Sequence, residues 1–336
     1  MANMKINIVK LDGIGDAMIF LCAAKDAGIN LNDPSVWWYT TGAVQSFLSE
    51  LLPNANIKVA QKNIFYVIKH GIKRIFSSRH RESITLLALK SDIFGNYNKR
   101  VAFVVGGTCF RISGFNHKNP FKFIFNAIGR LAIGKTVKID ETSDYAAYKK
   151  FLNSVNDNFE LPQHADQIKQ EILRKTDIII CPGASSVKKR YPIEGYLRLY
   201  KDLLNSFNNI KFVIGPSEPD ITPYLIDNGV AQKDIYNDLQ ANEFVNLIQH
   251  SKLVISNDSM AAHISNLTGT TLLCLAWGVR YNRFIKYLEK NNTVLSYPCE
   301  YHNCDACVFH DQRKYQCIKS LKYENIFNDA LRLMNV

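Results

Sequence analysis

The sequence predicts an α/β protein made of two successive Rossmann-like halves with parallel sheets. Three observations carry that expectation. A chain of 336 residues, 47% of them hydrophobic, is long enough for two domains that each bury a core. Short apolar runs alternate with helix-period segments almost throughout, as βα units require. The alternation fades in the middle of the chain and then restarts. The expected domains are 1–160 and 161–336, with the junction near residues 155 to 175, and two facing halves of this kind would enclose an interdomain cleft.

In the first half, strands are expected at Lys5 to Leu11, Val36 to Thr40, Ile57 to Ala60, Ile84 to Leu89 and Val101 to Val105. Helices fill the gaps. From Gly42 to Leu52 the residues Val44, Phe47, Leu48, Leu51 and Leu52 recur at helical spacing, which makes one buried stripe, and Pro53 follows as a stop. The pattern weakens between Val105 and Thr136, and Glu141 to Phe159 reads as a polar helix rich in Tyr, Asn and Lys. In the second half, strands are expected at Asp177 to Cys181, Lys211 to Ile214, Lys252 to Ser256 and Thr271 to Leu275.

Forty-one Lys plus Arg against 30 Asp plus Glu give a net charge of +11, a field that favours anionic partners. No run approaches the roughly 18 apolar residues of a membrane span, and the first residues form no signal-peptide core, so a soluble, cytoplasmic protein is expected. Cys22, Cys109, Cys181 and Cys274 lie in apolar surroundings and read as reduced core thiols. Cys299, Cys304, Cys307 and Cys317 crowd together near the end. Their spacing leaves three states open: a four-thiolate structural site for zinc or iron, free thiols, or a disulfide.

Three strand-to-helix junctions could carry chemistry. The first is Gly13-Ile14-Gly15-Asp16, where Gly15 lets backbone N–H groups face a ligand at the sheet edge. It lacks a third glycine and a partner acid near position 40, which disfavours a nicotinamide cofactor. Asp16 could accept a proton from a hydroxyl or simply charge the first turn of a helix. The second junction runs from Cys181 to Pro192, where Gly183, Ser185 and Ser186 could surround a phosphate and Lys189 could neutralise a departing diphosphate. An ordinary solvated loop is the alternative. The third is Asn257-Asp258-Ser259-Met260 with His263 one turn later. There Ser259 could cap a helix aimed at an anion and Asp258 could bind a sugar hydroxyl, while His263 could equally be a packed core imidazole.

Lys10 to Asp16, Cys181 to Ser185 with Lys189 to Pro192, Gly215-Pro216-Ser217-Glu218, and Asn257 to Ser259 with His263 follow one another in an order and spacing that resembles the heptosyltransferase family, glycosyltransferase family nine. Arg111 to Phe115 looks similar to the short element that closes the family's N-terminal sheet. The resemblance implies a GT-B fold, a metal-independent inverting reaction with no cofactor in the chemistry, and a nucleotide-sugar donor held mainly by the C-terminal domain. It implies that Asp16 is the base, that Ser185 and Lys189 contact the diphosphate, that Glu218 contacts the nucleoside, and that Asp258, Ser259 and His263 hold the donor sugar and phosphate. Two positions depart from the family pattern. Met260 stands where glycine is usual, and Tyr191 stands where tryptophan is usual.

Two basic, aromatic segments, Lys62 to Arg81 and Asn116 to Lys138, suit helices lying in a lipid headgroup layer, or ordinary core helices with solvated outer faces. The expected partners are therefore a nucleotide sugar, ADP-heptose, a lipid-linked glycan acceptor such as a lipopolysaccharide core, and the inner-membrane surface, with no nucleic acid. Two other readings stay open: a protein acceptor, as in autotransporter heptosylation, and a basic nucleic-acid-binding module built on a four-cysteine finger.

Overall fold

The structure, a computed structural model, describes residues 5–10, 13–59, 83–87, 100–104, 109–111, 135–139, 143–164, 173–276, 281–296 and 316–335, and structural statements refer to these. The chain divides into two compact units, Met1–Gln167 and Ile168–Val336.

The first unit is built on a sheet of order β3-β2-β1-β4-β6-β5-β7. Its strands are β1 (Lys5–Lys10), β2 (Val36–Thr40), β3 (Asn56–Val59), β4 (Ser83–Leu87), β5 (Arg100–Val104), β6 (Cys109–Arg111) and β7 (Lys135–Ile139). From β3 through β4 the pairings are parallel, as expected. The far edge differs, because β5 runs antiparallel to β4, β6 and β7. Direction depends on the connection between strands, which composition does not reveal. β7 departs from the helical reading at the end of the segment Asn116 to Lys138. Lys135–Lys138 are strand, with the β-branched Thr136, Val137 and Ile139 favouring extended backbone. The rest of that segment, and Lys62 to Arg81, lie outside the described residues.

Helix α1 (Ile14–Asp26), which α2 (Gly42–Leu51) follows in the chain, buries every residue from Ala17 to Ala24. A helix apolar all round must be covered on several sides, and α3 (Asp144–Phe159) provides one cover. α3 is less polar in its role than in its composition: Ala147, Tyr148, Phe151, Leu152 and Val155 form a buried stripe, and the Ser143 side chain accepts from the Ala146 N–H at its start. Phe20 meets Trp38 and Tyr148 edge-on, at centroid distances of 5.8 and 5.3 Å. Lys10, at the end of β1, is fully buried, and its Nζ donates to Tyr148 Oη at 3.0 Å.

The second unit has an all-parallel sheet of order β10-β9-β8-β11-β12-β13. Its strands are β8 (Thr176–Cys181), β9 (Ile210–Ile214), β10 (Ile235–Asn237), β11 (Ser251–Asn257), β12 (Thr271–Ala276) and β13 (Thr293–Ser296). Read from β8 as the first strand, this is the doubly wound order 3-2-1-4-5-6. Two strands went unforeseen: β10 is three residues long, and β13 is a half-buried edge strand with little apolar signal. Helices α4 (Ile193–Leu203), α5 (Ile221–Asp227), α6 (Ala241–Gln249) and α7 (Met260–Thr268) return the chain between strands. α7 stops at Gly269, whose φ of 72° is the left-handed turn that glycine adopts without strain. Short α9 (Gln316–Lys319, counting Tyr281–Phe284 as α8) carries Cys317 into the core of this unit, beside α10 (Tyr323–Leu333).

Tyr148→Phe should remove one hydrogen-bond partner of a buried ammonium and cost about 1.5 to 3 kcal/mol, the range for bonds to charged groups. A urea melt in which the first unit's midpoint does not move would show that the bond contributes nothing.

Candidate active site

The doubly wound order reverses between β8 and β11, and in such sheets ligands bind outside the carboxyl ends of the strands at that point. β8 and β11 pair in parallel, with Cys181 opposite Ser256. Their outgoing loops therefore leave the sheet side by side at one level. The first loop carries Gly183, Ser185, Ser186 and Lys189, and the second carries Asp258 and Ser259 directly after Asn257, the last residue of β11, so tertiary structure joins motifs about seventy residues apart.

The join is an ion pair. Lys189 Nζ lies 2.7 Å from Asp258 Oδ2, with side-chain exposures of 21% and 5%. The same ammonium sits 5.8 Å from the centroid of the Phe284 ring. A lysine ammonium has three donors, so the bond to Asp258 leaves capacity for phosphate oxygens. Lys189 ends a 3-10 turn, Val187–Lys189, whose start is held by Ser186 Oγ accepting from the Lys188 N–H at 3.3 Å. Ser185 is exposed in the same loop.

Glu218 is buried against this loop from the turn after β9. Its Oε1 accepts from Arg190 at 2.9 Å, and the amides of Ala184 and Gly215 also donate to the carboxylate. Arg190 in turn donates through Nε and a terminal nitrogen to the Ala184 carbonyl, at 3.2 and 3.0 Å. Burial raises the Glu218 pKa above the ordinary carboxyl range, although Arg190 and the two amides pull it down. The carboxylate occupies the space where residues 183 and 215 would place a side chain. A Cβ on either glycine would stand 2.7 or 2.8 Å from Glu218 Oε2. This is why both loops carry glycine there.

Ser259 is the N-cap residue of α7, but its side chain makes no capping bond, which corrects the capping expectation. Its Oγ lies 3.2 Å from Ser256 Oγ instead. Met260 begins the helix, half-buried. His263 is 4% exposed, with Nδ1 2.7 Å from Tyr287 Oη and the two rings stacked, which is the geometry of a packed, hydrogen-bonded imidazole. Cys181, at the end of β8, is a free buried thiol whose pKa is pushed up to about 12 by burial, so it serves as an apolar packing group, and Cys22 and Cys274 are likewise buried.

Gly15 and Asp16 belong to the first unit, where Asp16 stands half-buried in the first turn of α1 beyond the extended N-cap Gly13. Of the cysteine cluster, Cys317 is buried in the core of the second unit, while Cys299, Cys304 and Cys307 lie outside the described residues, as do Ile112 to Phe115. Among the described residues no three His, Cys, Asp or Glu side chains gather to hold a metal. Arg190 and Asn257 lie within the second and third junctions, and the sequence assigns neither a task. An arginine near the end of a Gly- and Ser-rich loop and an amide closing a strand with an apolar centre were the available signals.

Gly183→Ala should force the Glu218 carboxylate from a place where three donors hold it, at a cost of about 1 to 3 kcal/mol. Combined with Glu218→Ala, it should cost less than the sum of the two changes, because the clash is gone. Strict additivity in thermal melts would show that the two side chains do not compete for the same space.

The model of glycosyltransferase family 9 (heptosyltransferase) matches residues 130–317, more than half of the chain. No curated protein sequence matches it. Among solved structures it is similar to ADP-heptose lps heptosyltransferase II of E. coli, with 14% identity, a TM-score of 0.62 and 99% of each chain covered. It is also similar to E. coli heptosyltransferase WaaC with ADP-2-deoxy-2-fluoro heptose, with 11% identity, a TM-score of 0.55, and 99% of this chain and 100% of that one covered. A third likeness is to the iron-containing dodecameric glycosyltransferase TibC of enterotoxigenic E. coli, with 11% identity, a TM-score of 0.52, and 100% of this chain and 77% of that one covered. At these identities the likeness establishes the fold, which is the GT-B type the sequence resemblance implied. With a matching family model over most of the site-bearing half, two Rossmann-like sheets and the paired loops at the switch point, the chain belongs to glycosyltransferase family 9, the heptosyltransferase family.

Proposed function

We propose that the chain transfers heptose, with inversion, from ADP-heptose to a lipid-linked glycan such as a lipopolysaccharide core, at the cytoplasmic face of the inner membrane. The observation that carries the reading is the Lys189–Asp258 pair, which puts a cation with spare donors between the two loops at the switch point. The structure of WaaC with ADP-2-deoxy-2-fluoro heptose supports the choice of donor.

In this mechanism the Asp16 carboxylate takes the proton of an acceptor hydroxyl. The hydroxyl oxygen bonds to the anomeric carbon from the face opposite the diphosphate, and the bond from that carbon to the phosphate oxygen breaks. The electron pair leaves on the diphosphate, where Lys189 and the N-terminal amides of α7 meet the added charge. Ser185, Ser186 and Gly183 line the diphosphate, Glu218 faces the nucleoside, and Asp258 and Met260 border the sugar, with the buried His263 packed behind them on Tyr287. The net charge of +11 and the basic aromatic stretch from Lys62 to Arg81 support an anionic membrane surface as the place of work.

A protein acceptor is the second reading, favoured by the likeness to TibC and by the cysteine cluster. Bound iron together with transfer to a polypeptide would support it.

Asp16→Asn should abolish transfer while ADP-heptose still raises the melting temperature. Turnover near the wild-type rate would remove Asp16 from the base role. Lys189→Ala should weaken ADP binding by about 1.5 to 3 kcal/mol, as for a charge-assisted hydrogen bond, and unchanged affinity in calorimetry would place Lys189 outside the diphosphate site. Because the leaving charge is met by an ammonium and amides, transfer should continue in excess EDTA. A chelator that stops the reaction without unfolding the protein would overturn the metal-independent mechanism.

A further inference from the structure

Asn257 ends β11 directly before Asp258, and it is completely buried. Its side chain uses both ends. Oδ1 accepts from the Tyr191 backbone N–H at 3.0 Å and from Tyr196 Oη at 2.9 Å, while Nδ2 donates to the Pro182 carbonyl at 2.6 Å. The amide orientation follows from the partners, since a backbone N–H can only donate and a carbonyl can only accept. Tyr196 is a dependable donor too, because burial raises its phenol well above the ordinary range and keeps it protonated.

Pro182 and Tyr191 are the two ends of the loop that carries Gly183, Ser185, Ser186 and Lys189. One amide therefore fastens both ends of that loop to β11, and the next residue along β11 receives the loop's lysine. The fit around the second anchor is tight. The Tyr191 ring lies where a Cβ on residue 195 would stand, 2.3 Å from its nearest atom, and it meets Tyr196 edge-on at 5.5 Å.

We infer that Asn257 is a positioning residue of this transferase: by fastening Pro182 and Tyr191 to β11 it sets the loop so that Lys189 reaches the second phosphate of the donor. The ligand named here rests on the proposed function, while the tether does not. Two anchors on one rigid strand remove much of the loop's freedom, so the cation is placed before the diphosphate arrives.

The consequence is selective. Asn257→Asp keeps the acceptor facing Tyr191 and Tyr196 but sets an oxygen against the Pro182 carbonyl, which releases one end of the loop. ADP affinity should fall about tenfold, while AMP affinity, which does not draw on Lys189 reaching a second phosphate, should change by less than about twofold. In a Lys189→Ala background the same substitution should have little further effect on ADP. Leu203→Ala, a core change elsewhere in the unit, should lower the melting temperature without moving the ratio of ADP to AMP affinity.

Equal losses for ADP and AMP in Asn257→Asp, or effects that add to those of Lys189→Ala, would overturn the inference and leave Asn257 a purely structural residue. Hydrogen exchange on the wild-type protein supplies a check that needs neither variant nor donor. The Tyr191 amide should be protected as well as the amides of β8, and rapid exchange there overturns the tether. Wild-type protein that binds pyrophosphate but not ADP would sink the nucleotide assignment alone, and the same variants titrated with pyrophosphate would then decide the inference.

Discussion

Parallel pairing of β8 with β11 is the constraint on which the second unit's site depends. These strands are neighbours in the sheet although an αβαβα stretch separates them in sequence, because the chain winds outward through β9 and β10 and then returns to the other side of β8. The return leaves a crevice that no crossover helix fills. Both polar loops emerge there, and the ion pair between Lys189 and Asp258 follows from their shared level above the sheet. The same backbone with β11 moved one position outward would hold all these residues and bring none of them together.

Around that crevice two polar groups, Glu218 and Asn257, are buried and their partners are specific. Glu218 is held by Arg190 and by the amides of Ala184 and Gly215, and it fills the volume that glycine leaves at 183 and 215. Asn257 is held by Pro182, Tyr191 and Tyr196. An unpaired polar group in such a place would cost more than its hydrogen bond returns, so each of these residues demands its neighbours. The rigidity that results suits a site for a diphosphate, where the stabilising charge must already be in place when the leaving group departs.

The first unit shows the same economy with different parts. Lys10 ends the first strand under α1 and is satisfied in part by a phenol from α3, a helix that enters the chain 134 residues later. α3 looked polar as a composition, yet its buried stripe and its contact with α1 make it part of the core. The antiparallel edge of this sheet is the feature furthest from expectation, since β5 and β7 have compositions that suit either direction.

The α/β class, the two halves, most of the strands and the three junctions where polar residues follow an apolar strand are legible in the sequence. Those signals are local: period-2 and period-3.6 patterning, glycine at turns and cations at a loop all appear within about ten residues. Tertiary structure alone decided which junctions meet, that Lys189 pairs with Asp258, that Ser259 stands at a cap without capping, and that Asn257 and Arg190 have tasks at all. Each of those outcomes joins residues through strand order or through a side chain that finds its partner in another element. Strand order is set by packing both faces of the sheet at once, and no single stretch of the chain contains that information.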